Sequence, residues 1–226
     1  MRINADFAQR AVVHAAHEPW VPSPMAGVER RLLDRIGGEV ARATSIVRYA
    51  PGSHFSAHVH DGGEEFLVLE GTFQDEHGDY PTGTYVRNPP TSRHTPRADA
   101  GCVIFVKLWQ FDLDDRTEVR LDPARVPSTP EPARPGVAIR PLHRDAREAV
   151  AVEDWAAGTE VDIALPGGLE MLVLDGDLDE GDEHLTPWSW LRLPAGGRLR
   201  ARAGPRGARV WVKRGHLTGA IRAPGG

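Results

Sequence analysis

Short apolar runs separated by glycine, proline, asparagine and aspartate dominate the hydrophobic pattern of this chain. The runs are rich in β-branched and aromatic residues, which favour strands, and turn-forming residues bound them. The predicted strand segments are Ala43–Tyr49, Phe66–Leu69, Thr84–Arg87, Val103–Leu108, Met171–Leu174 and Arg209–Val212. Glu29–Ile36 has the periodicity of one or two helical turns, but the glycine pair that follows would end a helix there. We therefore predict an all-β fold of the sandwich or barrel type.

One proline-rich stretch interrupts this pattern. Leu121–Gly136 contains five prolines and few apolar residues. Because proline removes a backbone donor and fixes φ, this stretch is predicted to be an extended linker. The predicted domains are residues 1–118 and 138–226, joined by a linker over residues 119–137.

The two predicted domains repeat each other. Glu65–Gly71 reads EFLVLEG and Glu170–Gly176 reads EMLVLDG, at a spacing of 105 positions. The spacing holds without a gap as far as Tyr85–Pro89 and Trp190–Pro194. Beyond these residues the alignment continues after the insertion of one residue in the second repeat. The chain is therefore predicted to contain two copies of one small β domain.

Composition and charge narrow the class of protein. The chain has 226 residues, of which 40% are hydrophobic and 26% are charged, and this is ordinary for a globular protein of two domains. Its net charge of −5 and the lack of a basic run disfavour a nucleic-acid partner. Cys102 is the single cysteine, which excludes an internal disulfide and zinc sites built on several cysteines. No apolar run typical of a signal peptide or membrane span occurs, so we expect a cytoplasmic protein with no membrane partner.

Four polar residues of the first repeat have the spacing of metal ligands. His58 and His60 lie one residue apart on a predicted strand, so their imidazoles face the same side. Glu64 follows a double-glycine turn and opens the next strand, and His94 lies thirty residues further on. Imidazole nitrogen and carboxylate oxygen are ligands of Zn, Fe, Mn and Ni. The simpler alternative is a pair of histidines on a solvated strand.

The second repeat supplies a control for the metal interpretation. The positions equivalent to the four polar residues are Ile163, Leu165, Leu169 and Leu199. Four independent surface positions rarely become aliphatic together. The exchange therefore favours four side chains that point into an interior, which holds a metal in one copy and only packed side chains in the other.

The same comparison separates Glu64 from its neighbour Glu65. Glu65 and Arg87 recur as Glu170 and Arg192, so we assign them to the framework as a cross-strand charge pair. Glu64 becomes leucine in the second repeat and is therefore the predicted carboxylate ligand, with Glu65 as the alternative.

The motifs around these residues resemble the ChrR-type cupin family. The first cupin motif matches Gly52-x5-His58-x-His60-x3-Glu64-x6-Gly71. The second matches Gly83-x5-Pro89-x-Thr91-x2-His94, with Thr91 at the usual glycine and Ala98 at the usual asparagine. Further segments similar to the family are Gly63-Glu-Glu-Phe-Leu-Val-Leu, Asp75-Glu-His-Gly-Asp-Tyr-Pro and Arg87-Asn-Pro-Pro. The resemblance covers residues 1–115 closely and the second half only as a degenerate copy.

This resemblance implies a bicupin, that is, two tandem small β-barrels of the double-stranded β-helix or jelly-roll type. It implies that His58, His60, Glu64 and His94 of the first barrel bind one divalent metal ion per chain, zinc before iron. It also implies a homodimer. The family includes zinc-dependent anti-sigma factors and stand-alone proteins. Because the anti-sigma activity belongs to a separate helical domain that this chain lacks, we expect no sigma-factor binding.

Three further residues are predicted to line the pocket beside the metal. His54 shares the inward face of the predicted strand, and the aromatic side chains of Phe66 and Tyr85 would form part of an apolar wall. Packing in the core or in a turn is the alternative for each. No catalytic residue is predicted, and Cys102 is interpreted as a small packed residue because no histidine–asparagine set accompanies it.

The identity of the metal decides between three functions. Zinc bound by all four ligands in a tetrahedron is a closed, structural type of site. The first hypothesis is a metal-binding bicupin that binds or senses a small molecule. Octahedral Fe(II) keeps two positions open for substrate and O₂. The chain would then be a non-haem dioxygenase acting on a small β-dicarbonyl-like substrate, similar to the acetylacetone-cleaving cupins. In the third interpretation the metal is structural and the protein is a dimeric interaction module. Whether the chain is an enzyme stays open at this point.

Overall fold

The structure is a computed structural model that describes residues 1–219 and 221–224. The regular elements of this part of the chain are β-strands and two short 3₁₀ helices, Ala15–His17 and Pro123–Arg125. The all-β prediction is therefore confirmed. Among the described residues, no helix is long and apolar enough to cross a membrane. The strands fall into two compact units, and they are numbered here in chain order.

The first unit contains Met1–Ala5 and Pro19–Ala124. Its strands are β1 (Arg2–Ile3), β3 (Val21–Pro22), β4 (Val28–Gly37), β5 (Ala41–Tyr49), β6 (Ser53–His54), β7 (His58–Val59), β8 (Glu64–Asp75), β9 (Gly78–Pro81), β10 (Tyr85–Asn88), β11 (Arg93–His94), β12 (Arg97–Ala98), β13 (Cys102–Leu108) and β14 (Val119–Leu121).

Eleven of these strands form one antiparallel sheet with the central order β1-β4-β5-β13-β8-β10-β14. Strand β8 pairs with β10 and β13 along its first part, and with β9 and β12 near its end. The sheet therefore curves around a core that includes Phe66, Phe73, Val86 and Ile104. The short strands β7 and β11 pair with each other and carry part of the candidate site.

The second unit contains Asp6–Glu18 and Arg125–Ile221. Its strands are β2 (Ala11–His14), β15 (Thr129–Pro130), β16 (Val137–Arg144), β17 (Ala149–Trp155), β18 (Glu160–Leu165), β19 (Leu169–Glu180), β20 (Glu183–Leu185), β21 (Ser189–Leu193) and β22 (Gly197–Arg214). They form one sheet with the order β15-β16-β17-β22-β19-β21-β2, with β18 on β22 and β20 on β19.

The repeat seen in the sequence is reproduced in the strand register of the two units. His58 lies opposite His94, and the equivalent residues Ile163 and Leu199 also lie opposite each other. Glu64 pairs with Asn88 in the same way that Leu169 pairs with Leu193. The positions compared along the sequence are therefore equivalent in space.

The units differ from the predicted boundaries in two places. Residues 6–18 belong to the second unit, because β2 pairs with the edge of its sheet at β21. The predicted linker is not a separate segment: β14 pairs with β10 of the first unit, and β15 pairs with β16 of the second. Its extended course is interrupted by the 3₁₀ helix Pro123–Arg125. In addition, the region with helical periodicity, Glu29–Ile36, lies in strand β4, where Leu33 is fully buried.

Candidate metal centre

The candidate centre lies where β7, β11 and the start of β8 meet. Pairing of β7 with β11 sets His58 opposite His94, and His60 follows directly after β7. The His60 amide donates to the carbonyl of Ser92 at 2.9 Å, and this hydrogen bond holds the segment next to the residue that precedes β11. The chain then turns at Gly63, whose φ of +76° suits glycine. This turn places Glu64 at the beginning of β8.

Side-chain donors from these segments converge on one point. The Nε2 atoms of His60 and His94 are 3.0 Å apart. An oxygen of Glu64, Oε2, lies 3.3 Å from the Nε2 of His60 and 3.6 Å from that of His94. His58 completes the group, since one ligand atom from each of the three histidines lies within 4.8 Å of the others.

These separations fit the coordination sphere of a divalent metal. Bonds of about 2.0–2.2 Å place neighbouring ligand atoms about 3.3–3.6 Å apart in a tetrahedron and about 2.8–3.1 Å apart in an octahedron. Two imidazole lone pairs that face each other at 3.0 Å repel unless a cation or a proton lies between them. The donor set, with three imidazoles and one carboxylate, is one that zinc and iron both accept.

A second layer of hydrogen bonds orients the proposed ligands. Asn88 donates from Nδ2 to Glu64 Oε2 at 3.1 Å. His94 Nδ1 lies 3.2 Å from Asp75 Oδ2, and this contact leaves the Nε2 atom of His94 for the metal. The other oxygen of Asp75 accepts from the His77 amide at 2.8 Å and from the Tyr80 hydroxyl at 3.0 Å. Carboxylate–histidine pairs of this kind commonly accompany metal-binding histidines.

The buried charges of the site shift the pKa values of its members. Burial lowers the pKa of His60. Burial alone would raise the pKa of Glu64, but the neighbouring His60 and His94 imidazoles and the Asn88 amide lower it below its ordinary value. Burial also opposes the charge of His94, but the hydrogen bond to Asp75 and the Glu64 carboxylate raise its pKa. The site therefore favours an ionised carboxylate among imidazoles, which suits a cation.

Access to the centre differs between its two sides. His60, Glu64 and His94 are buried, whereas His58 is exposed. On the interior side, the ring of Phe73 lies 5.8 Å from that of His94 and 4.7 Å from that of Phe66. Aromatic side chains thus occupy the interior beneath the site, and a ligand would approach it from the side of His58.

The equivalent positions of the second barrel are filled by packed aliphatic side chains. Leu165, Leu169 and Leu199 are buried in the core of that unit, and Ile163 packs against the same core. The four positions therefore point inward in the second unit, as the exchange of residues predicted. No polar donor set replaces them.

The structure corrects two of the three predicted pocket residues. The His54 side chain is 65% exposed, and its Nε2 lies 3.7 Å from Asp99. The predicted strand is interrupted between β6 and β7, so the alternation of side chains does not carry over from His54 to His58. Tyr85 is buried, but its hydroxyl donates to Glu65 at 2.5 Å, and Glu65 lies on the face of β8 opposite to Glu64. Neither side chain lines the centre.

The third predicted pocket residue, Phe66, lies on the same face of β8 as Glu64. It is fully buried and belongs to the core of the first unit. Its ring lies on the interior side of the site, next to that of Phe73. Whether it touches a ligand stays a prediction.

Sequence reasoning missed Asp75, Tyr80 and Asn88. The repeat carries a signal for two of them, because Tyr80 and Asn88 are replaced by Leu185 and Leu193 at the same spacing of 105 positions. Both leucines are buried in the second core. The polar-to-aliphatic exchange that indicated the ligands therefore also indicates residues that support them.

A second cluster of possible donors lies in the second unit, formed by His143, Asp145 and Glu148. Lys213 binds Glu148 at 2.9 Å, and Asp145 accepts hydrogen bonds from the backbone amides of Arg147 and Glu148. Both carboxylates of this cluster therefore already have partners within the protein.

Comparison with known proteins agrees with the fold and the motifs. Residues 8–112 match the family described as the ChrR Cupin-like domain, which confirms the resemblance predicted from the motifs. No curated protein matches the chain.

Similar solved structures cover both units. They include a Nostoc punctiforme protein with a provisional dioxygenase label (15% identity, TM-score 0.75, covering 96% of this chain and 86% of that one). Others are Escherichia coli YlbA (13% identity, TM-score 0.69, 96% and 95%) and a cupin 2 conserved barrel domain protein from Leptotrichia buccalis (12% identity, TM-score 0.61, 94% and 98%). At these identities the similarity shows the fold, and the chain has a cupin fold.

Proposed function

We propose, from the match of residues 8–112 to the ChrR Cupin-like domain, that the first barrel is a mononuclear metal site that binds or senses a small molecule. His58, His60, Glu64 and His94 would hold one divalent ion, zinc or iron. The observation that carries this proposal is the convergence of their donor atoms, set against four aliphatic residues at the equivalent positions of the second barrel. The second barrel would fold without a metal.

The bound metal would supply Lewis acidity at the exposed side of the site. The side chains of the barrel would hold the ligands in place and exclude water from the interior face. Asn88 holds Glu64, and Asp75 holds His94, so both buried ligands are oriented before a metal binds. Because aromatic rings fill the space beneath the metal, the small molecule would be compact and would enter on the side of His58.

A second candidate function is a non-haem Fe(II) dioxygenase acting on a small β-dicarbonyl-like substrate. Two observations favour it: the Nostoc punctiforme neighbour carries a provisional dioxygenase label, and the exposed His58 side leaves room for further ligands of an octahedral metal. A cytoplasmic homodimer remains part of the proposal, as does the absence of nucleic-acid, membrane and sigma-factor partners.

Elemental analysis of protein purified anaerobically without chelators tests the metal site. We expect about one zinc or iron per chain in the wild type, loss of the metal in His58→Ala, and retention in the matched control His54→Ala, which removes a nearby exposed histidine outside the cluster. No metal in the wild type, or equal metal in both variants, would refute the proposal.

The identity of the metal then separates the candidate functions. Zinc without O₂ consumption supports the binding or sensing role, and ligand screening follows. Iron together with O₂ uptake in the presence of β-diketones supports the dioxygenase. A purely structural metal predicts instead that the first unit of His58→Ala unfolds.

A further inference from the structure

A chain of hydrogen bonds leads away from His94 to β14, the last strand of the first unit. His94 Nδ1 contacts Asp75 Oδ2 at 3.2 Å, and the Tyr80 hydroxyl donates to Asp75 Oδ1 at 3.0 Å. The Tyr80 oxygen in turn accepts from Arg120 Nε at 2.8 Å. The four residues lie on four different strands: Asp75 on β8, Tyr80 on β9, His94 on β11 and Arg120 on β14.

The direction of every hydrogen bond in this chain follows from the donors available. A guanidinium has no acceptor, so Arg120 donates to the Tyr80 oxygen. The single hydroxyl hydrogen of Tyr80 must then go to Asp75. Asp75, as a carboxylate, accepts from both sides, so His94 gives its Nδ1 hydrogen to Asp75 and keeps the Nε2 lone pair on the side of the other ligands.

Asp75 is subject to two opposite effects on the electron density that His94 offers at Nε2. By accepting from Nδ1, Asp75 increases the electron density that His94 offers at Nε2. The Arg120 cation polarises the Tyr80 hydroxyl, which strengthens its donation to Asp75 and draws charge away from His94. Asp75 would keep its orientation without Tyr80, because the His77 amide also donates to Oδ1 at 2.8 Å.

Comparison with the second barrel indicates that the Asp75–Tyr80–Arg120 hydrogen bonds belong to the metal site and are not needed for the barrel itself. Tyr80 is replaced there by Leu185, which is fully buried. Asp75 is replaced by Glu180, which instead pairs with Arg10 at 2.6 Å. In the second barrel these hydrogen bonds are therefore absent together with the four proposed ligands, while the barrel fold is retained.

We propose that Asp75, Tyr80 and Arg120 are positioning residues that tune the metal affinity of the site through His94. Asp75 strengthens metal binding, and the Tyr80–Arg120 pair moderates it. The inference rests on the proposed function, since it requires a metal at the centre.

The test measures the dissociation constant for Zn²⁺ by competition with a chelating dye, and the absorption spectrum of the Co²⁺-loaded protein. Asp75→Asn should weaken Zn²⁺ binding by about 10- to 100-fold, the usual effect of losing such a partner. Tyr80→Phe and Arg120→Met should bind Zn²⁺ more tightly, by about two- to tenfold, since they act one step further from the ligand. In the Tyr80→Phe background, Arg120→Met should add nothing.

The matched control is Arg116→Met. Arg116 is exposed and donates to the backbone carbonyls of Leu113 and Asp115, outside the chain of hydrogen bonds, so its removal should change the affinity by less than about twofold. A purely structural role for Tyr80 and Arg120 predicts weaker binding and easier unfolding in every variant, without a shift in the Co²⁺ spectrum. The opposite signs expected here therefore distinguish tuning from damage to the fold.

Weaker or unchanged Zn²⁺ binding in both Tyr80→Phe and Arg120→Met would overturn this inference and leave the proposed function intact. If the wild type binds neither Zn²⁺ nor Co²⁺, the proposed function fails and this inference fails with it. Should Asp75→Asn not fold, the two other variants and their double mutant still decide the outcome.

Discussion

The fully buried Glu153 in the second unit should make that unit sensitive to acid. Arg134 binds its two oxygens at 2.7 and 2.8 Å, and Arg214 adds a third contact at 2.7 Å. The indole nitrogen of Trp155 donates to it at 3.0 Å. Burial alone would raise the pKa of Glu153, but the two guanidinium groups lower it to about 2.

The lowered pKa sets the size and the sign of the effect. Relative to an ordinary pKa of 4.5, a folded value of about 2 corresponds to about 3 kcal/mol of stabilisation of the folded state. A depressed carboxyl pKa stabilises the fold above the unfolded-state value. The contribution is therefore complete above about pH 5 and is lost as the pH falls from there towards 2.

Urea unfolding of the wild type and Glu153→Gln at several pH values between 7 and 3 measures this contribution. The variant should be less stable by about 3 kcal/mol at pH 7, and the difference should shrink to less than half by pH 3. Glu160→Gln, which alters an exposed residue of the same unit, should show neither effect. A difference between the wild type and Glu153→Gln that stays the same from pH 7 to pH 3 would refute the reasoning.

Three other substitutions and metal removal are also expected to have defined outcomes. His94→Leu, which copies Leu199 of the second barrel, should abolish zinc binding and also destabilise the metal-free protein by more than about 1 kcal/mol, because it removes the partner of a buried Asp75 oxygen, and unchanged unfolding in urea would contradict this. Leu199→Ala should cost about 2–5 kcal/mol in the same assay, because the side chain is fully buried, and a loss below about 1 kcal/mol would contradict the packing. Gly63→Ala should destabilise the first unit by more than about 1 kcal/mol, since φ is +76° and a Cβ atom would lie 2.4 Å from the Phe111 ring. Unchanged urea unfolding would show that the turn relaxes. A chelator should lower the thermal unfolding midpoint of the zinc-loaded wild type but not that of His58→Ala, because zinc at about 100 times its dissociation constant stabilises the folded state by about 2.7 kcal/mol. A wild-type midpoint that is the same with and without chelator would exclude bound metal.

The all-β class and the ligand set could be predicted because both depend on local or repeated patterns. Short apolar runs between turn residues indicate strands wherever they occur. The observed strands β5, β8, β13, β19 and β22 include five of the six predicted segments, and β10 includes all of the sixth except Thr84. The internal repeat added a comparison that a single domain lacks. It distinguished Glu64 from Glu65, and the structure places Glu64 beside His60 and Glu65 on the opposite face of the strand.

Only the tertiary structure decided which distant segments meet. The N-terminal strand β2 adds to the edge of the second sheet, and Arg120 reaches Tyr80 from a segment that sequence reasoning treated as linker. Such pairings depend on backbone hydrogen bonds between segments far apart in the chain, and these leave no periodic signal in either partner. Alternation along a strand also failed for His54, because it holds only while a strand is continuous, and here the strand is interrupted between β6 and β7. The sequence by itself thus determined the class of fold and the chemistry of the ligands, whereas the packing of non-local strands determined what surrounds and orients them.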